Sequence, residues 1–183
     1  MLIGLISTSY SGKGTVTEYL VKNHSFQILP DDLDEEDDIS AYILKENRWT
    51  CNYVFYPNLA KCEYYMKRPF FLLVYIDASI MIRFERYLNL NSTAQDFNND
   101  LTLFITNNDP LHVNLPLVRL MYKADIRLYN SGNCIQTFYK YLDRCDLTNK
   151  DRLRPSWDTY FIRLCDWSAR RSNCIRCIQN FEG

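Results

Sequence analysis

The chain has 183 residues, 47% of them hydrophobic and 15% aromatic, which is enough apolar material for a folded core and excludes global disorder. Its 21 basic and 22 acidic residues give a net charge of −1, whereas a nucleic-acid-binding domain carries a basic excess, so we expect no nucleic acid as partner. Residues 70–76 form the longest apolar run, far below the ~20 residues of a membrane helix, so we expect no membrane partner either.

The first residues of the chain contain no basic segment ahead of a hydrophobic stretch, so we do not expect a secretory signal peptide. The cysteines number seven, an odd count, and lie scattered along the chain. Without a secretory signal they are expected to be reduced thiols, and we therefore expect a cytoplasmic protein.

Short apolar runs alternate with helical patterns along the chain. The predicted strands are residues 2–7, 26–29, 53–56, 70–76 and 126–129. The predicted helices are residues 16–22, 39–46, 59–68, 78–88, 97–105, 115–122 and 135–142. Strands that alternate with helices predict an α/β fold in which a parallel sheet is flanked by helices. The run at 70–76 is continuously apolar, as expected of a strand covered on both faces.

A phosphate-loop pattern lies between the first strand and the first helix. Residues 7–15 read STSYSGKGT, and the pattern is a glycine, four variable residues and then Gly-Lys-Ser/Thr. Backbone N–H groups and the helix N-terminus of such a loop bind phosphate. The predicted phosphate-binding residues are Ser11, Gly12, Lys13, Gly14 and Thr15.

Within this loop, Lys13 is expected to neutralise the terminal phosphates of a nucleotide, and the hydroxyl of Thr15 or of Ser11 to face Mg²⁺. Two positions depart from the pattern. Ser7 replaces the first glycine, and Tyr10 stands where kinases of this type usually keep a glycine, so that its ring would crowd a ligand. A strand–helix turn that binds nothing is the alternative interpretation.

Two later stretches resemble dephospho-coenzyme A kinase. Residues 71–78 (FLLVYIDA), followed by Arg83 and Arg86, resemble the strand and helix ahead of that family's lid. Residues 124–132 (ADIRLYNSG) resemble its last strand and the turn near the adenine. The resemblance implies lid arginines that contact the transferred phosphate; Arg86 matches, and Asn89 stands where a second arginine is expected.

Further side chains are candidates for nucleotide contacts. Asp31 and Asp32 follow the second strand, where kinases of this class often present a carboxylate, and a solvated loop is the alternative. Asp77 ends a strand, where α/β sheets place ligand contacts, and capping of the next helix explains it equally well. Asn130 and Gly132 form a turn that adjoins the nucleotide in the kinase resemblance.

The last third of the chain resembles a different enzyme. Residues 146–149 (DLTN), 154–164 (RPSWDTYFIRL) and 171–174 (RSNC) are similar to the start of the catalytic domain of deoxycytidylate deaminase, whose fungal members carry a kinase-like region before it. The resemblance implies a phosphate-loop kinase-like domain at 1–146, a linker at 147–154 and an incomplete deaminase domain at 155–183. It also implies hydrolytic deamination of deoxycytidylate to deoxyuridylate with zinc, in pyrimidine deoxynucleotide metabolism.

The zinc chemistry of that family needs a His-x-Glu and a Pro-Cys-x-x-Cys, because three ligands hold the metal while the glutamate moves protons. The chain has two histidines, His24 and His112, and neither opens His-x-Glu. Cys174 and Cys177 form one isolated Cys-x-x-Cys, which is too few ligands for structural zinc. We therefore predict no metal-binding and no catalytic residue here.

These observations favour a truncated relative of deoxycytidylate deaminase that lacks deaminase activity and keeps a nucleotide-binding domain. Its expected partner is a nucleotide, as the Mg²⁺ complex, and zinc is expected for the family but not for this chain. Two alternatives stay open: a small nucleotide kinase, of the dephospho-coenzyme A or nucleoside monophosphate type, and a non-catalytic module that senses nucleotide.

A final helix is predicted to begin after Ser156 as its N-cap and to run to residue 169 or beyond. Its large apolar residues recur at spacings of three and four and form one stripe, which consists of Trp157, Tyr160, Phe161, Leu164 and Trp167. An exposed stripe of this size predicts folding back onto the first domain, self-association or aggregation.

Overall fold

The computed structural model describes residues 1–30, 33, 36–91, 101–108, 115–132, 134–153 and 156–171. The chain divides into two compact units, Met1–Thr148 and Asn149–Gly183. Across the described residues, no helix has both the length and the apolar character needed to cross a membrane.

The first unit is built on a five-stranded, all-parallel sheet with strand order β2-β3-β1-β4-β5. The strands are β1 Leu2–Ser7, β2 Gln27–Ile28, β3 Tyr53–Phe55, β4 Phe71–Asp77 and β5 Ile126–Tyr129. In the register of the sheet, Leu2 lies opposite both Tyr53 and Phe71. The parallel α/β sheet predicted from the sequence is therefore confirmed.

Helices connect these strands. They are α1 Lys13–His24, α2 Glu36–Leu44, α3 Cys62–Tyr65, α4 Ile80–Asn91, α5 Leu101–Asn108, α6 Leu115–Lys123 and α7 Ile135–Cys145, with a 3₁₀ turn at Lys45–Thr50. Helix α1 begins three residues before the predicted start because Gly12 forms its N-cap. The helix predicted at 97–105 lies partly outside the described residues, and its described part, from Leu101, is helical.

The prediction of a helix over residues 59–68 is wrong for most of its length. The side chain of Asn58 accepts a hydrogen bond from the N–H of Ala60 at 3.0 Å, which favours a turn over a helix. Tight backbone bonds follow, from Lys61 N–H to the Asn58 carbonyl and from Arg68 N–H to the Tyr65 carbonyl, both at 2.9 Å. Only the single turn of α3 remains helical.

The core lies on the two central strands. In β4, residues 71–76 are all buried, as the continuous apolar run predicted, and β1 is buried from Leu2 to Ile6. Helices α2, α3 and α6 contribute to the cluster on one face of the sheet, where Leu117 and Leu120 join Leu73 and Tyr75. Strand order reverses direction between β1 and β4, and such a switch point opens a crevice at the carboxyl ends of the strands.

The second unit contains a 3₁₀ turn at Lys150–Arg152 and one long helix, α8 Trp157–Arg171. The Ser156 hydroxyl accepts a hydrogen bond from the N–H of Thr159 at 3.2 Å, so the predicted N-cap is confirmed. The linker predicted at 147–154 begins with Leu147, which is buried. The compact first unit ends at Thr148, and the division at residue 146 remains a prediction.

Candidate phosphate-binding site

The loop of residues 8–12 leaves β1 and enters α1, as the phosphate-loop pattern requires. Gly12, the N-cap of α1, adopts the left-handed conformation at φ 101° and ψ 31°. A Cβ atom at this position would lie 2.5 Å from Nδ2 of Asn130. Glycine is therefore required here both by its dihedral angles and by the close approach of a buried side chain.

The carbonyl groups of this loop are held by donors around it. Thr8 O accepts from the N–H and the hydroxyl of Ser11, at 3.4 and 2.8 Å. Tyr10 O accepts from Nη1 of Arg86 at 3.1 Å, and Ser11 O accepts from Nδ2 of Asn130 at 2.9 Å. These bonds fix the direction of the peptide groups, which is the precondition for a preorganised anion site.

The amide groups at the start of α1 are left open. For the N–H groups of Gly12, Lys13, Gly14 and Thr15, the structure shows no hydrogen-bond acceptor within the described residues. Unpaired amides at a helix N-terminus, together with the helix dipole, form a site for an anion such as phosphate.

Two neighbouring cavities adjoin the loop. The first, of about 650 Å³, is lined by residues 7–14 together with Arg86, Asn89 and Leu90. The second, of about 370 Å³, includes Thr15, Asn130, Gly132 and the residues at the start of α7. Both volumes are within the range of small-molecule sites, and Gly12, Arg86 and Asn89 line both cavities.

Lys13 places a positive charge at the first cavity. Burial lowers the pKa of its ammonium group, since removal of water disfavours the charged form. Its Nζ lies 4.1 Å from the centroid of the Tyr56 ring, and it pairs with no carboxylate among the described residues. A partly desolvated cation that lies against an aromatic ring favours an incoming anion.

Asp77, at the end of β4, bonds to the loop and to the residue that follows the strand. Its Oδ1 accepts from the Thr8 hydroxyl at 2.7 Å and from the N–H of Ala78 at 2.8 Å. The N-terminus of α4 is capped by Ser79, whose hydroxyl accepts from the N–H of Ile82 at 3.4 Å, and not by Asp77 as considered from the sequence. The bond from Thr8 ties β4 to the loop. The sequence analysis did not identify Thr8, since a threonine in a loop carries no distinctive signal.

The turn after β5 is hydrogen-bonded to the same loop, directly through Asn130 and by way of Arg86. Arg86 donates from Nη2 to the carbonyl of Gly132 at 2.8 Å, besides its bond to Tyr10. Asn130 is buried, and its own N–H donates to the Asp77 carbonyl at 2.7 Å. Burial lowers the pKa of the Arg86 guanidinium. Arg86, Asn130 and Gly132, all three predicted candidates, thus meet at the loop. The side chains of Arg86 and Asn130 donate there to backbone carbonyls.

Tyr10 turns its ring towards two helices. Its centroid lies 5.4 Å from that of Tyr87 on α4 and 5.9 Å from that of Phe104 on α5. Its backbone is left-handed, at φ 62°, in the position where a glycine was expected. The chain accepts a non-glycine residue here with its side chain packed against these rings, although Tyr10 still lines the first cavity.

Some predictions fall outside the described residues. These are Asp31 and Asp32, the two cysteines Cys174 and Cys177, and His112. His24 lies at the end of α1, where its Nε2 is 3.0 Å from the Tyr19 hydroxyl, remote in the chain from the loop. Within the described residues, no group of three or more His, Cys, Asp or Glu side chains is arranged to hold a metal ion.

Comparison with solved structures places the chain among known folds. An uncharacterized protein from Eubacterium ventriosum aligns with a TM-score of 0.56, over 81% of this chain and 99% of that one, at 12% sequence identity. At this identity the likeness concerns the fold alone.

Two curated proteins are similar in sequence, and no known protein-family profile matches. Deoxycytidylate deaminase from Schizosaccharomyces pombe is 34% identical over 95% of this chain and 59% of its own length. Deoxycytidylate deaminase from Saccharomyces cerevisiae is 31% identical over 96% of this chain and 58% of its own length. The chain thus spans less than two thirds of either relative, and over almost all of its own length it is similar in sequence to these two deoxycytidylate deaminases.

Proposed function

We propose that the unit Met1–Thr148 binds the phosphates of a nucleotide without transferring them, and that this polypeptide does not itself deaminate deoxycytidylate. One observation carries the proposal: four successive amides at the start of α1 lack acceptors among the described residues. They adjoin a cavity of about 650 Å³ that Lys13 also lines. Similarity to deoxycytidylate deaminases supports a role in pyrimidine deoxynucleotide metabolism.

The small nucleotide kinase is the rival function. Phosphoryl transfer needs cations directed at the transferred phosphate. Arg86 instead donates to the carbonyls of Tyr10 and Gly132, and the first cavity contains Asn89 where the kinase resemblance expects an arginine. These observations favour a module that binds and senses nucleotide rather than a kinase that transfers its phosphate.

Deamination by the polypeptide alone is disfavoured by its chemistry. The sequence contains no His-x-Glu and no Pro-Cys-x-x-Cys. Without those groups nothing holds zinc, activates its bound water or moves protons to the leaving ammonia.

Thermal unfolding with Mg²⁺ and ATP, dCTP or dTTP tests the binding proposal. A ligand at 100 times its dissociation constant adds ~2.7 kcal/mol to the free energy of unfolding, which gives a clear rise in the melting temperature. Lys13→Ala should abolish this rise. Lys22→Ala is the matched control, since Lys22 is on the same helix, exposed and paired with Glu18, and should keep it.

No rise with any of these nucleotides at millimolar concentration would contradict the proposal. Release of ADP or transfer of phosphate to a nucleoside monophosphate would instead establish the kinase. For deamination, we expect no stoichiometric zinc by metal analysis and no ammonia from deoxycytidylate. One tightly bound zinc per chain together with ammonia release would overturn that part.

A further inference from the structure

Tyr56, which the sequence analysis did not identify as a site residue, lies directly after β3 at the carboxyl edge of the sheet. The residue is 43% exposed, and the ammonium group of Lys13 lies over its ring, 4.1 Å from the centroid. A cation at this distance is attracted by the negative face of the ring.

The same tyrosine is also bonded to the helix that carries Lys13. The hydroxyl of Thr17 donates to the Lys13 carbonyl at 3.2 Å, so its single proton is used. The Tyr56 hydroxyl, 2.8 Å from the Thr17 oxygen, is therefore the donor in that pair. These contacts form a closed circuit of three interactions: the Lys13 ammonium lies on the Tyr56 ring, the Tyr56 hydroxyl bonds to Thr17, and Thr17 bonds to the Lys13 carbonyl.

The circuit restrains a side chain that is otherwise among the most flexible in proteins. Lys13 lines the first cavity in this restrained position. Holding a lysine before the ligand arrives reduces the side-chain entropy that binding must remove.

We propose that Tyr56 is a positioning residue, which holds the Lys13 ammonium at the phosphate cavity through its ring and is itself oriented by Thr17. The inference rests on the proposed nucleotide binding and adds the residue that sets its strength. The ring is the essential part, and the hydroxyl serves to orient it. A ligand with a polyphosphate, such as Mg²⁺–ATP, then meets a lysine already in place.

The test compares Tyr56→Leu with Tyr56→Phe in the full chain. Titration calorimetry with Mg²⁺–ATP should show affinity weakened by about 2- to 30-fold in Tyr56→Leu, the range that a cation–π contact supplies. Tyr56→Phe keeps the ring and should bind within about twofold of the wild type. Tyr122→Leu is the control, because it removes a ring that carries a cation, the Arg127 guanidinium at 5.7 Å, and lines neither cavity, so the affinity for nucleotide should not change.

A second measurement needs no ligand. In NMR spectra of the lysine-labelled protein, the Lys13 side-chain protons should be shifted upfield by the ring in the wild type and in Tyr56→Phe, and not in Tyr56→Leu. Absence of that shift in the wild type would overturn the inference, as would equal or tighter ATP binding by Tyr56→Leu, and either result leaves the proposed function standing. If the wild type binds none of ATP, dCTP and dTTP, the proposed function fails and the inference fails with it; if it binds one of the other two and not ATP, the same comparison is made with that nucleotide.

Discussion

The large apolar residues of strand β4 in the first unit are buried in its sheet, whereas those of helix α8 in the second unit are exposed. In the first unit, residues 71–76 of β4 are at most 5% exposed. In the second unit, Trp157 and Trp167 of α8 are 67% and 65% exposed, and none of its described residues is buried. A parallel sheet offers two faces that helices cover, whereas a lone amphipathic helix offers one stripe that needs a partner.

The comparison also explains why the candidate site belongs to the first unit. The phosphate loop is held by bonds from β4, α4 and the turn after β5, all of which are anchored in the buried sheet. Rigid surroundings of this kind keep amide groups directed at one point. The described part of the second unit has no comparable support, and its exposed aromatic residues predict association instead.

The largest effect is expected from removal of the second unit. Deletion of residues 149–183 takes away the exposed aromatic residues of α8, so we expect the full chain to self-associate and the shortened chain to be monomeric in analytical ultracentrifugation. Its nucleotide-dependent melting should persist. If the deletion unfolds residues 1–148, the division into two units is wrong and α8 belongs to the first core.

Truncation of one leucine in each unit tests the comparison directly. Leu73 is fully buried in β4, and Leu73→Ala should lower the free energy of unfolding by ~2–5 kcal/mol, from lost burial and the cavity left behind. Leu164, on α8, is 44% exposed, and Leu164→Ala should change it by less than ~0.5 kcal/mol. Urea denaturation of both variants measures the difference. Equal losses would show that α8 is packed as firmly as the sheet.

Removal of a hydrogen bond between α1 and α7 in the first unit should lower the free energy of unfolding by less. The buried Tyr19 of α1 donates its hydroxyl proton to Asp143 of α7 at 2.5 Å. Tyr19→Phe leaves that carboxylate without this donor and should cost ~1.5–3 kcal/mol at pH 8, the worth of a hydrogen bond to a charged group. Tyr160→Phe on α8, where the residue is 47% exposed, should lower the free energy of unfolding by less than ~0.5 kcal/mol.

The pH dependence of this contact has a definite sign. Burial, and then the hydrogen bond to Asp143, raise the pKa of Tyr19 well above its ordinary value near 10. Since the folded state holds the proton more tightly, the contribution of Tyr19 is fully present below about pH 10 and is lost as the pH rises above it. The gap between wild type and Tyr19→Phe should therefore narrow at alkaline pH. A constant gap would mean that the phenol ionises equally in both states.

The sequence predicted the parts of the fold that depend on local pattern. The continuous apolar run at 70–76 located the central strand, and the Gly12-Lys13 pair located the loop at the start of α1. The bonds that hold the loop were not predictable, because Arg86 and Asn130 bond to backbone carbonyls, which any residue carries. Tyr56 was missed for a related reason: its contact with Lys13 joins residues brought together only by the sheet.

The smallest effect concerns Tyr10, the one non-glycine residue of the loop in a backbone conformation that side chains disfavour. A left-handed backbone costs a residue with a Cβ roughly 1–2 kcal/mol, and the ring contacts with Tyr87 and Phe104 offset part of that cost. Tyr10→Ala and Tyr10→Gly both remove the ring, but only glycine relieves the backbone. We therefore expect the glycine variant to be more stable than the alanine variant by about 1 kcal/mol in urea denaturation.

Gly14 provides the control for this pair. A Cβ on Gly14 would meet no atom within 4 Å, and the residue lies in the first turn of α1, so Gly14→Ala should stabilise the fold by up to about 1 kcal/mol. Alanine is thus expected to be favourable at residue 14 and unfavourable at residue 10, four positions apart in one loop and helix start. If alanine and glycine at residue 10 give equal stability, the positive φ of Tyr10 carries no strain, and the ring contacts alone explain why a tyrosine replaces the expected glycine.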